Sequence, residues 1–479
     1  MKAGCSQKSC AGLLFDYQPK AVTYNKKAWL DQGMWLLKLE GNAMHHVIVG
    51  SGPAGVTAAE TIRSINTSAQ ITLIGGEGEA PYSRMAIPYL LHGDIEEKGT
   101  HLRQQAGHYD SLGIDYKNAR IAGIDATSKT LWTTAIEPIK YDRLLLATGA
   151  APIIPRFEGS DLPGVHTCWT LADARAITQL VGKGTPVLLV GAGFIGSIVL
   201  EALHKTGAEL TVVEIAPRMV ARMMDETAGG MLGRWCTEHG VRVLTNTKVE
   251  RILQGSGTGP SKLSVGLSNG EFIPATLVVL AAGVRSNTAL LAGTGAKIGQ
   301  GIAVNQFLET NVPGIFAAGD CCEGVDLSTG KPDMLAIQPV AVEHGRLAGQ
   351  NMAGQKTPHR GSLNMNVLDT LGLISSSFGN WQGVPNGKTS SMTDEKNFKY
   401  LKLNFLGDKL IGAQCVGMTD HVGMLRGLIQ TGFKLGPWRD ILMKSPERLA
   451  EGYVGVMQAR PSVGPSGPHT RMPTQSPAH

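Results

Sequence analysis

The sequence predicts an α/β protein that has two parallel-sheet domains and a smaller α+β domain at its C-terminal end. Two short apolar runs, His45–Val49 and Pro186–Val190, each lead into a glycine-rich turn, a helical stretch and a second apolar run. Strands that alternate with helices form a parallel sheet covered by helices on both faces. From residue 361 onward this order is lost and short strand patterns follow one another, which indicates a separate α+β domain.

The individual elements follow from the apolar patterns. The first unit predicts a strand at His45–Val49, a helix from Ala54 to about Ser64 and a strand at Ile71–Ile74. The second unit repeats this order with a strand at Pro186–Val190, a helix ending near Thr206 and a strand at Leu210–Val213. In the C-terminal part we expect strands at Leu363–Leu368, Lys399–Leu403 and Leu410–Val416 and a helix near Met424–Thr431.

The composition is that of a folded globular protein. Hydrophobic residues make up 42% of the 479 residues and charged residues 17%, which excludes a wholly disordered chain. At about 150 residues per domain, this length corresponds to about three domains. The net charge of +5, from 44 basic and 39 acidic residues, is too small and too dispersed to indicate nucleic-acid binding.

Hydropathy and cysteine usage indicate the cellular compartment. No stretch of about 20 apolar residues is present, so no membrane span is predicted, and the N-terminal sequence lacks the apolar core of a secretory signal. The seven cysteines form no CxxC pair, so they support neither a zinc site nor a thioredoxin-type site, and no metal site is expected. We therefore predict a reducing, cytoplasmic location.

The first glycine-rich segment, GSGPAG at residues 50–55, fits the GxGxxG pattern of a dinucleotide-binding turn. The first glycine permits a tight turn, the second lets the backbone approach a pyrophosphate, and the third lets the helix pack on the strand. The start of the helix then offers free N–H groups and a partial positive charge to the phosphates. An acid after the second strand is expected to bind ribose hydroxyls; the alternative is a glycine turn followed by an unrelated acid. The residues predicted to contact this dinucleotide are Gly50, Gly52, Pro53, Ala54, Gly55 and Glu77.

The second glycine-rich segment, GAGFIG at residues 191–196, repeats the pattern. Its second strand ends in Glu214, whose carboxylate can accept hydrogen bonds from both ribose hydroxyls and would repel a 2′-phosphate, which favours NAD over NADP. Arg218 and Arg222 lie nearby, and they either soften this preference or are solvated surface residues. The residues predicted to contact this second dinucleotide are Gly191, Gly193, Phe194, Ile195, Gly196 and Glu214.

Two fingerprints in this order resemble flavoproteins of the pyridine nucleotide-disulfide oxidoreductase type, which bind FAD first and a nicotinamide dinucleotide second. Three further segments carry the resemblance: an ATG segment at residues 141–150, LAAGVR at residues 280–285, and a second FAD motif at residues 310–320. The resemblance covers residues 44–458. It implies a glutathione-reductase-like fold with two Rossmann-like domains, and FAD and NAD(H) as cofactors.

The resemblance also implies roles for further residues. Asp320 would bind the ribityl chain of the flavin, and the helix after residues 337–341 would direct its N-terminus at the flavin pyrimidine; a purely structural helix is the alternative. Hydride transfer between a stacked nicotinamide and flavin requires no acid–base residue, so no catalytic residue is assigned. The additional residues implied at the two dinucleotide sites are Arg84, Thr148, Gly149, Gly283, Gly319, Asp320, Gln338 and Pro339.

The implied domain organisation has five parts. They are an N-terminal arm at residues 1–43, an FAD-binding domain formed by residues 44–155 and 286–360, an NAD-binding domain at residues 156–285, a C-terminal α+β interface domain at residues 361–458, and a disordered tail at residues 459–479. The arm carries six lysines and two tryptophans, a composition that favours docking onto another subunit. Its alternative role is to cover the FAD-binding domain.

The segment at residues 80–89 departs from its family pattern. It resembles the segment of NADH oxidases and coenzyme A-disulfide reductases that carries a redox cysteine, and this chain has Met85 at that position. A thioether cannot form a thiolate, a mixed disulfide or a sulfenic acid, which excludes disulfide exchange and peroxide reduction by that route. Tyr89 and Ile198 stand where relatives have a lysine and a glutamate that pair beside the flavin. Losing both charges together avoids an unpaired buried charge.

Three other groups of residues have two interpretations each. Cys321 and Cys322 follow Asp320 and are either a redox-active pair or small buried residues. Cys5 and Cys10 either contribute ligands to iron or are free thiols, since two cysteines cannot hold an iron–sulfur cluster alone. A histidine on the helix after residue 337, His344, either lies near the flavin or is a packed helix residue.

The resemblance and the missing cysteine together predict the function. We expect an FAD-dependent NADH:acceptor oxidoreductase that passes electrons between the nicotinamide and a protein, an iron–sulfur subunit of a larger complex. A similarity to the FAD subunits of 2-oxoacid:acceptor oxidoreductases, such as phenylglyoxylate dehydrogenase, supports a hetero-oligomer. The alternatives are a stand-alone NADH oxidase, a nitrite, rubredoxin or ferredoxin reductase, or an interaction scaffold that contains FAD. The sequence leaves open the acceptor, the direction of electron flow and the oligomeric state.

Overall fold

The structure is a computed structural model that describes residues 44–255, 262–418, 420 and 422–459. The predicted N-terminal arm, with Cys5 and Cys10, lies outside the described residues, and so does the predicted tail beyond Ala459. Within the described parts of the chain, no helix is both long enough and apolar enough to cross a membrane.

The first parallel sheet combines strands from two distant parts of the chain. Both of its faces are buried, one by two helices and the other by loops and a small antiparallel sheet. Its strands, in spatial order, are Ile315–Ala317, Arg143–Leu146, His45–Val49, Gln70–Gly75 and Ile114–Asn118. The helices that cover it are Pro53–Ile65 and Gln338–Met352.

The two helices on the first sheet contact each other closely because small residues face one another. A methyl group added at Gly345 would lie 2.2 Å from the carbonyl oxygen of Ala54, and one added at Gly349 would lie 2.8 Å from that of Ala58. The helix Gln338–Met352 is therefore held directly against the helix that follows the first glycine turn.

The second parallel sheet lies wholly within residues 165–280. Its strands, in spatial order, are Arg242–Leu244, Glu209–Val213, Pro186–Val190, Leu277–Leu280 and Val165–Thr167. Three helices, Leu171–Leu180, Phe194–Lys205 and Glu226–Glu238, contribute to its apolar core. A three-stranded antiparallel sheet packs on the other face, with strands Val249–Gln254, Leu263–Leu267 and Phe272–Ala275.

Smaller elements surround the two parallel sheets. The extra strands are Ile121–Asp125, Thr130–Thr133 and Ile139–Lys140 in one antiparallel sheet, Ala150–Pro152 and Val284–Ser286 in a second, and Ile302–Ala303, Cys322–Val325 and Pro332–Asp333 in a third, mixed sheet. Two short helices, Ile87–Leu91 and His108–Ser111, and the 3-10 turns Arg84–Ala86, Glu97–Thr100 and Ala289–Leu291 complete this part.

The C-terminal part is a five-stranded antiparallel sheet packed against three helices. The strands, in spatial order, are Met365–Thr370, Leu373–Gly379, Lys409–Val416, Lys399–Leu406 and Lys388–Asp394. The helices are Val422–Thr431, Pro437–Lys444 and Leu449–Gln458, with a 3-10 turn at Pro446–Arg448. The predicted strands and helix are present, although the first strand begins at Met365 rather than Leu363. Two of the strands and two of the helices are additional to the prediction.

Candidate functional site

The first glycine turn keeps two backbone segments in contact and leaves space at one position. Gly50 has a φ of +112°, and a methyl group there would lie 2.0 Å from the carbonyl oxygen of Ala147. One at Gly55 would lie 1.8 Å from the carbonyl oxygen of Gly50. At Gly52, by contrast, nothing lies within 4 Å of an added methyl group. The turn is thus closed on its protein side and open where a ligand phosphate would approach.

The helix that follows this turn has free donors at its start. Gly52 is its N-cap, no side chain caps the helix, and no acidic residue lies in the first turn. The N–H groups of the first turn therefore have no side-chain acceptor, and the helix dipole adds partial positive charge there. This is the arrangement that binds a phosphate.

The second glycine turn has the same geometry. Gly191 has a φ of +103°, and a methyl group there would lie 2.5 Å from the carbonyl oxygen of Ala281. One at Gly196 would lie 2.1 Å from the carbonyl oxygen of Gly191, while Gly193 is open within 4 Å. The helix Phe194–Lys205 begins here without a side-chain cap or a first-turn acid, and Phe194 and Ile195 form its first turn.

Residues from four segments meet beside the first turn. Methyl groups of Ala54 and Ala341 lie 3.2 and 3.4 Å from a methyl group added at Gly319. Thr148 donates its hydroxyl to the carbonyl oxygen of Asn287 at 2.8 Å, and the Asn287 side chain donates back to the carbonyl oxygen of Thr148 at 2.9 Å. The first turn, the ATG segment with Thr148 and Gly149, and the second FAD motif therefore lie next to one another.

Asp320 adds a carboxylate beside these segments. Its side chain is partly buried, and no residue in the described parts of the chain donates a hydrogen bond to the carboxylate. Burial raises the pKa of Asp320, and the nearby charge of Arg84 opposes that shift. Hydroxyl groups of a ligand would supply the missing donors. The open glycine turn and this carboxylate together fit FAD, whose pyrophosphate and ribityl hydroxyls are the matching groups.

The helix Gln338–Met352 directs its first turn at the same region. It has no side-chain cap, and Pro339 occupies its first turn, where a missing N–H costs no hydrogen bond. The amide oxygen of Gln338 accepts a hydrogen bond from the Ser83 hydroxyl at 2.5 Å. This contact connects the helix start with the segment that contains Arg84 and Met85.

Glu77 is engaged by its own chain. Its carboxylate accepts a hydrogen bond from the Tyr82 hydroxyl at 2.5 Å and forms an ion pair with Arg84. Arg84 also donates to the carbonyl oxygen of Trp169 at 2.7 Å and lies over the rings of Tyr82 and Trp169. Ribose binding by Glu77 stays a prediction, since a ribose would share this carboxylate with Arg84.

Glu214 lies beside the second turn. Its carboxylate accepts the backbone N–H of Ala192 at 2.6 Å and that of Ala216 at 2.8 Å. These bonds fix an anionic group next to the turn, where a ribose is expected. Arg218 donates hydrogen bonds to carbonyl oxygens of its own loop, so these donors are not free for a 2′-phosphate. Arg222 is exposed.

The segment that departs from the family pattern is accessible in this chain. Met85 lies in the 3-10 turn Arg84–Ala86 and is 45% exposed, and Tyr89 is 54% exposed. Ile198 packs against an apolar core that also contains Ile87. Gly283, in the segment implied to close the second domain, accepts the N–H of Ile153 at 2.9 Å.

The vicinal cysteines are buried. The Cys321 thiol donates to the carbonyl oxygen of Leu146 at 3.3 Å, and the Cys322 sulfur lies 3.6 Å from Nδ1 of His344. Burial raises the pKa of both thiols and lowers that of His344 to about 3, so all three groups are neutral near pH 7. This environment favours small buried cysteines over a redox pair, and a packed His344. Among the described residues, no group of three or more metal-ligating side chains is arranged to hold a metal ion.

Two residues at the site, Trp169 and Asn287, were not predicted. Trp169 follows the strand Val165–Thr167 and meets Arg84 through its carbonyl oxygen and its ring. Asn287 pairs with Thr148 across 139 residues of sequence. Neither residue belongs to a local pattern, so only the tertiary fold identifies them.

Known proteins share this arrangement. Residues 44–345 match the sequence profile of the pyridine nucleotide-disulphide oxidoreductase family. The chain is 32% identical over 403 residues to an NADH oxidase from Methanocaldococcus jannaschii, which covers 78% of this chain and 88% of that protein. It is 29% identical over 405 residues to the NADH-dependent phenylglyoxylate dehydrogenase subunit epsilon of Aromatoleum evansii, which covers 84% of this chain and 95% of the subunit.

A solved structure supports the same assignment. A ferredoxin reductase from Rhodopseudomonas palustris superposes with a TM-score of 0.72 and 26% identity, over 79% of this chain and 92% of that one. The chain therefore belongs to the pyridine nucleotide-disulphide oxidoreductase family, and it is an oxidoreductase that uses FAD and NAD(H).

Proposed function

We propose that the chain passes electrons between NAD(H) and an iron–sulfur protein. Bound FAD supplies the chemistry that this task needs, because it exchanges a hydride with the nicotinamide and single electrons with a one-electron carrier. The chain contributes two binding turns, at residues 50–55 and 191–196, and a partly buried acid, Asp320. The observation that carries the proposal is that residue 85 is a methionine and that no cysteine in the described parts of the chain offers a reactive thiol.

Met85 removes the route by which a cysteine would relay electrons. A thioether forms neither a thiolate nor a disulfide. The five cysteines in the described parts of the chain are unpaired, and burial raises the pKa of each thiol above its ordinary value. None of these five side chains offers a thiolate near neutral pH. Electrons that enter from NADH would then leave directly to an external acceptor.

The relatives support a protein acceptor. One of them is named a ferredoxin reductase and another a subunit of an NADH-dependent dehydrogenase. The first name gives ferredoxin, a protein, as the electron acceptor, and the second says that the protein is one subunit of a larger enzyme. We propose accordingly that residues 1–43 serve as a docking segment for such a partner, in a larger complex such as a 2-oxoacid:acceptor oxidoreductase.

The residues at the two turns would hold the cofactors in place. The open positions Gly52 and Gly193 would admit the two pyrophosphates, and Asp320 would accept hydrogen bonds from the ribityl hydroxyls. Glu214 would bind the adenine ribose of NADH. The uncapped start of the helix Gln338–Met352 would place partial positive charge beside the flavin.

The test is to follow electrons from NADH through the purified, FAD-loaded chain. Stopped-flow mixing with NADH under anaerobic conditions should bleach the flavin within one catalytic cycle. A [2Fe–2S] ferredoxin should then be reduced much faster than oxygen or a small disulfide. A Met85→Leu variant should behave like the unmodified chain, because no thioether chemistry is involved. Oxygen consumption as fast as ferredoxin reduction would refute the proposal.

The relationship to the NADH oxidase from Methanocaldococcus jannaschii favours a second candidate, direct oxidation of NADH by oxygen. The same experiment separates the two functions. Rapid oxygen consumption without a partner protein supports the oxidase. Very slow reduction of the flavin by NADH would instead support the FAD-containing interaction scaffold, the remaining alternative from the sequence.

A further inference from the structure

Asp225 joins two parts of the molecule. It is the N-cap of the helix Glu226–Glu238, because one of its carboxylate oxygens accepts the N–H of Ala228 at 3.1 Å. The other oxygen accepts from the Tyr400 hydroxyl at 2.8 Å and from the Lys402 ammonium at 3.0 Å. Tyr400 and Lys402 lie on one face of the C-terminal strand Lys399–Leu406.

The neighbouring strand adds a third contact. Gln414, which is fully buried and opposite Lys402 in the sheet, accepts the backbone N–H of Asp225 at 2.9 Å. Its side-chain amide also lies 3.4 Å from the same carboxylate oxygen. Both ions are mostly shielded from water, with 23% of the Asp225 side chain and 19% of the Lys402 side chain exposed. Burial would raise the pKa of Asp225, but the hydrogen bonds and the ammonium hold it below its ordinary value.

A short loop leads from Asp225 back to the second glycine turn. The N–H groups of Met223 and Met224 donate to the carbonyl oxygen of Val220 at 2.8 and 3.0 Å. The N–H of Val220 in turn donates to the carbonyl oxygen of Ala192, the second residue of the glycine turn, at 2.8 Å. Asp225 and Ala192 are thus connected through one continuous set of backbone contacts.

The same loop holds Val220 in a conformation that its side chain disfavours. Its φ is +45°, in the left-handed region that β-branched residues rarely occupy. Such a conformation persists only where the surroundings fix it at both ends. Here the ends are the glycine turn, bound through Ala192 and Glu214, and the C-terminal sheet, bound through Asp225.

We propose that the contact of Asp225 with Tyr400, Lys402 and Gln414 positions the loop 214–225, and through it Ala192 and Glu214, for binding of the nicotinamide dinucleotide. Asp225 is a positioning residue, because it touches neither turn directly. The C-terminal sheet then sets the affinity for NADH from outside the NAD-binding turn. The inference rests on NADH binding at the second glycine turn and is independent of the electron acceptor.

The test uses Lys402→Met and Tyr400→Phe, which weaken the contact and leave the N-cap intact. Anaerobic stopped-flow reduction of the FAD-loaded chain gives both the dissociation constant for NADH and the limiting rate of flavin reduction. We expect NADH to bind about tenfold more weakly in Lys402→Met, an effect typical of substitutions along a coupling network. The limiting rate, the flavin content and the flavin spectrum should stay unchanged. Lys402→Arg should restore most of the affinity.

A matched control lies at the same contact between the two parts. Arg234 and Glu395 form an exposed ion pair at 3.2 Å that does not involve the loop 214–225. Glu395→Gln should therefore leave NADH affinity unchanged. Should Lys402→Met fail to fold, Tyr400→Phe, which removes one hydroxyl, decides the question by the same readout.

Unchanged NADH affinity in Lys402→Met or Tyr400→Phe, or an equal loss in Glu395→Gln, would overturn the inference. A loss of flavin or of the limiting rate, at unchanged affinity, would also overturn it, because the contact would then act on the fold as a whole. The experiment contains no acceptor, so its outcome is separate from that of the iron–sulfur proposal.

Discussion

Two glycines of the first turn, Gly55 and Gly52, should respond differently to replacement by alanine. In Gly55→Ala, the new methyl group lies 1.8 Å from the carbonyl oxygen of Gly50, far closer than a van der Waals contact. The obstructing atom is backbone, and Gly50 is itself tied to Ile74 by a 2.8 Å hydrogen bond. Overpacking of this kind costs about 1–3 kcal/mol, and we expect the upper end here because no side chain can move aside.

For Gly52→Ala we expect the opposite result, an unchanged stability and a weaker affinity for FAD. Its φ of −76° and ψ of −173° suit alanine, and no atom lies within 4 Å of the new methyl group. The stability of the FAD-free chain should change by less than about 0.5 kcal/mol. The methyl group instead occupies the space that a pyrophosphate approaches. The steric cost of about 1–3 kcal/mol then reduces the free energy of FAD binding, so the affinity for FAD should fall by roughly 5- to 150-fold.

Two measurements separate these effects. Urea unfolding of the FAD-free chains should give a midpoint about 1 M lower for Gly55→Ala and an unchanged midpoint for Gly52→Ala. Titration with FAD, followed by flavin fluorescence, should show the weakened affinity in Gly52→Ala. Gly193→Ala serves as the matched control, because the open position of the second turn should affect NADH and spare FAD. If Gly52→Ala binds FAD like the unmodified chain, the assignment of the first turn to the FAD pyrophosphate is wrong.

Three further predictions concern charge and the N-terminal arm. The unmodified chain should use NADH more efficiently than NADPH. Glu214→Gln should reduce this preference for NADH, because the 2′-phosphate of NADPH no longer meets a carboxylate. A higher catalytic efficiency with NADPH in the unmodified chain would contradict the prediction. The pKa of Asp225 is lower in the folded state, so its ion pair stabilises the fold above about pH 4, and this stabilisation is lost as the pH falls through the folded-state pKa. The urea midpoints of the unmodified chain and of Asp225→Asn should therefore differ at pH 7 and converge in acid. A difference that does not change with pH would show that the charge of Asp225 is not the source of the stabilisation. Deletion of residues 1–43 should leave flavin content and NADH reduction of FAD nearly unchanged while weakening assembly with an iron–sulfur partner, and loss of FAD would instead support an arm that covers the FAD domain.

The glycine turns could be predicted because their requirements are local. A residue without a side chain is needed wherever two backbones touch, and the sequence records this at Gly50, Gly55, Gly191 and Gly196. The strands before these turns end in the apolar residues 47–49 and 187–190, as expected for a sheet that is buried on both faces. The two Rossmann-like units can therefore be predicted from short segments of the sequence.

The strands of the C-terminal sheet are harder to predict from the sequence because several of their polar residues are buried. The strand Leu373–Gly379 contains Ser375, Ser376 and Ser377, all of them buried, and it has no alternation of polar and apolar residues. It is a strand because it lies between Met365–Thr370 and Lys409–Val416, which supply its backbone hydrogen bonds. Propensity in such a strand is overruled by its neighbours.

Asp225 could not be recognised from sequence for a related reason. It stands before a helix, where aspartate is an ordinary N-cap. Its partner Tyr400 lies 175 residues later, on a strand whose register is set by the sheet. A long-range polar contact of this kind leaves no periodic signal in either segment.

The order of the strands in the first sheet has a consequence for synthesis of the chain. The edge strand Ile315–Ala317 pairs with Arg143–Leu146, although the whole second sheet is made between them. At roughly 5–20 residues per second, the ribosome needs about 10–30 s to produce the intervening residues. During this interval the second sheet can fold, while Arg143–Leu146 has an unpaired edge open to other strands. We therefore expect truncated chains that end near residue 285 and have left the ribosome to contain a protease-resistant second sheet and to depend on chaperones for the first.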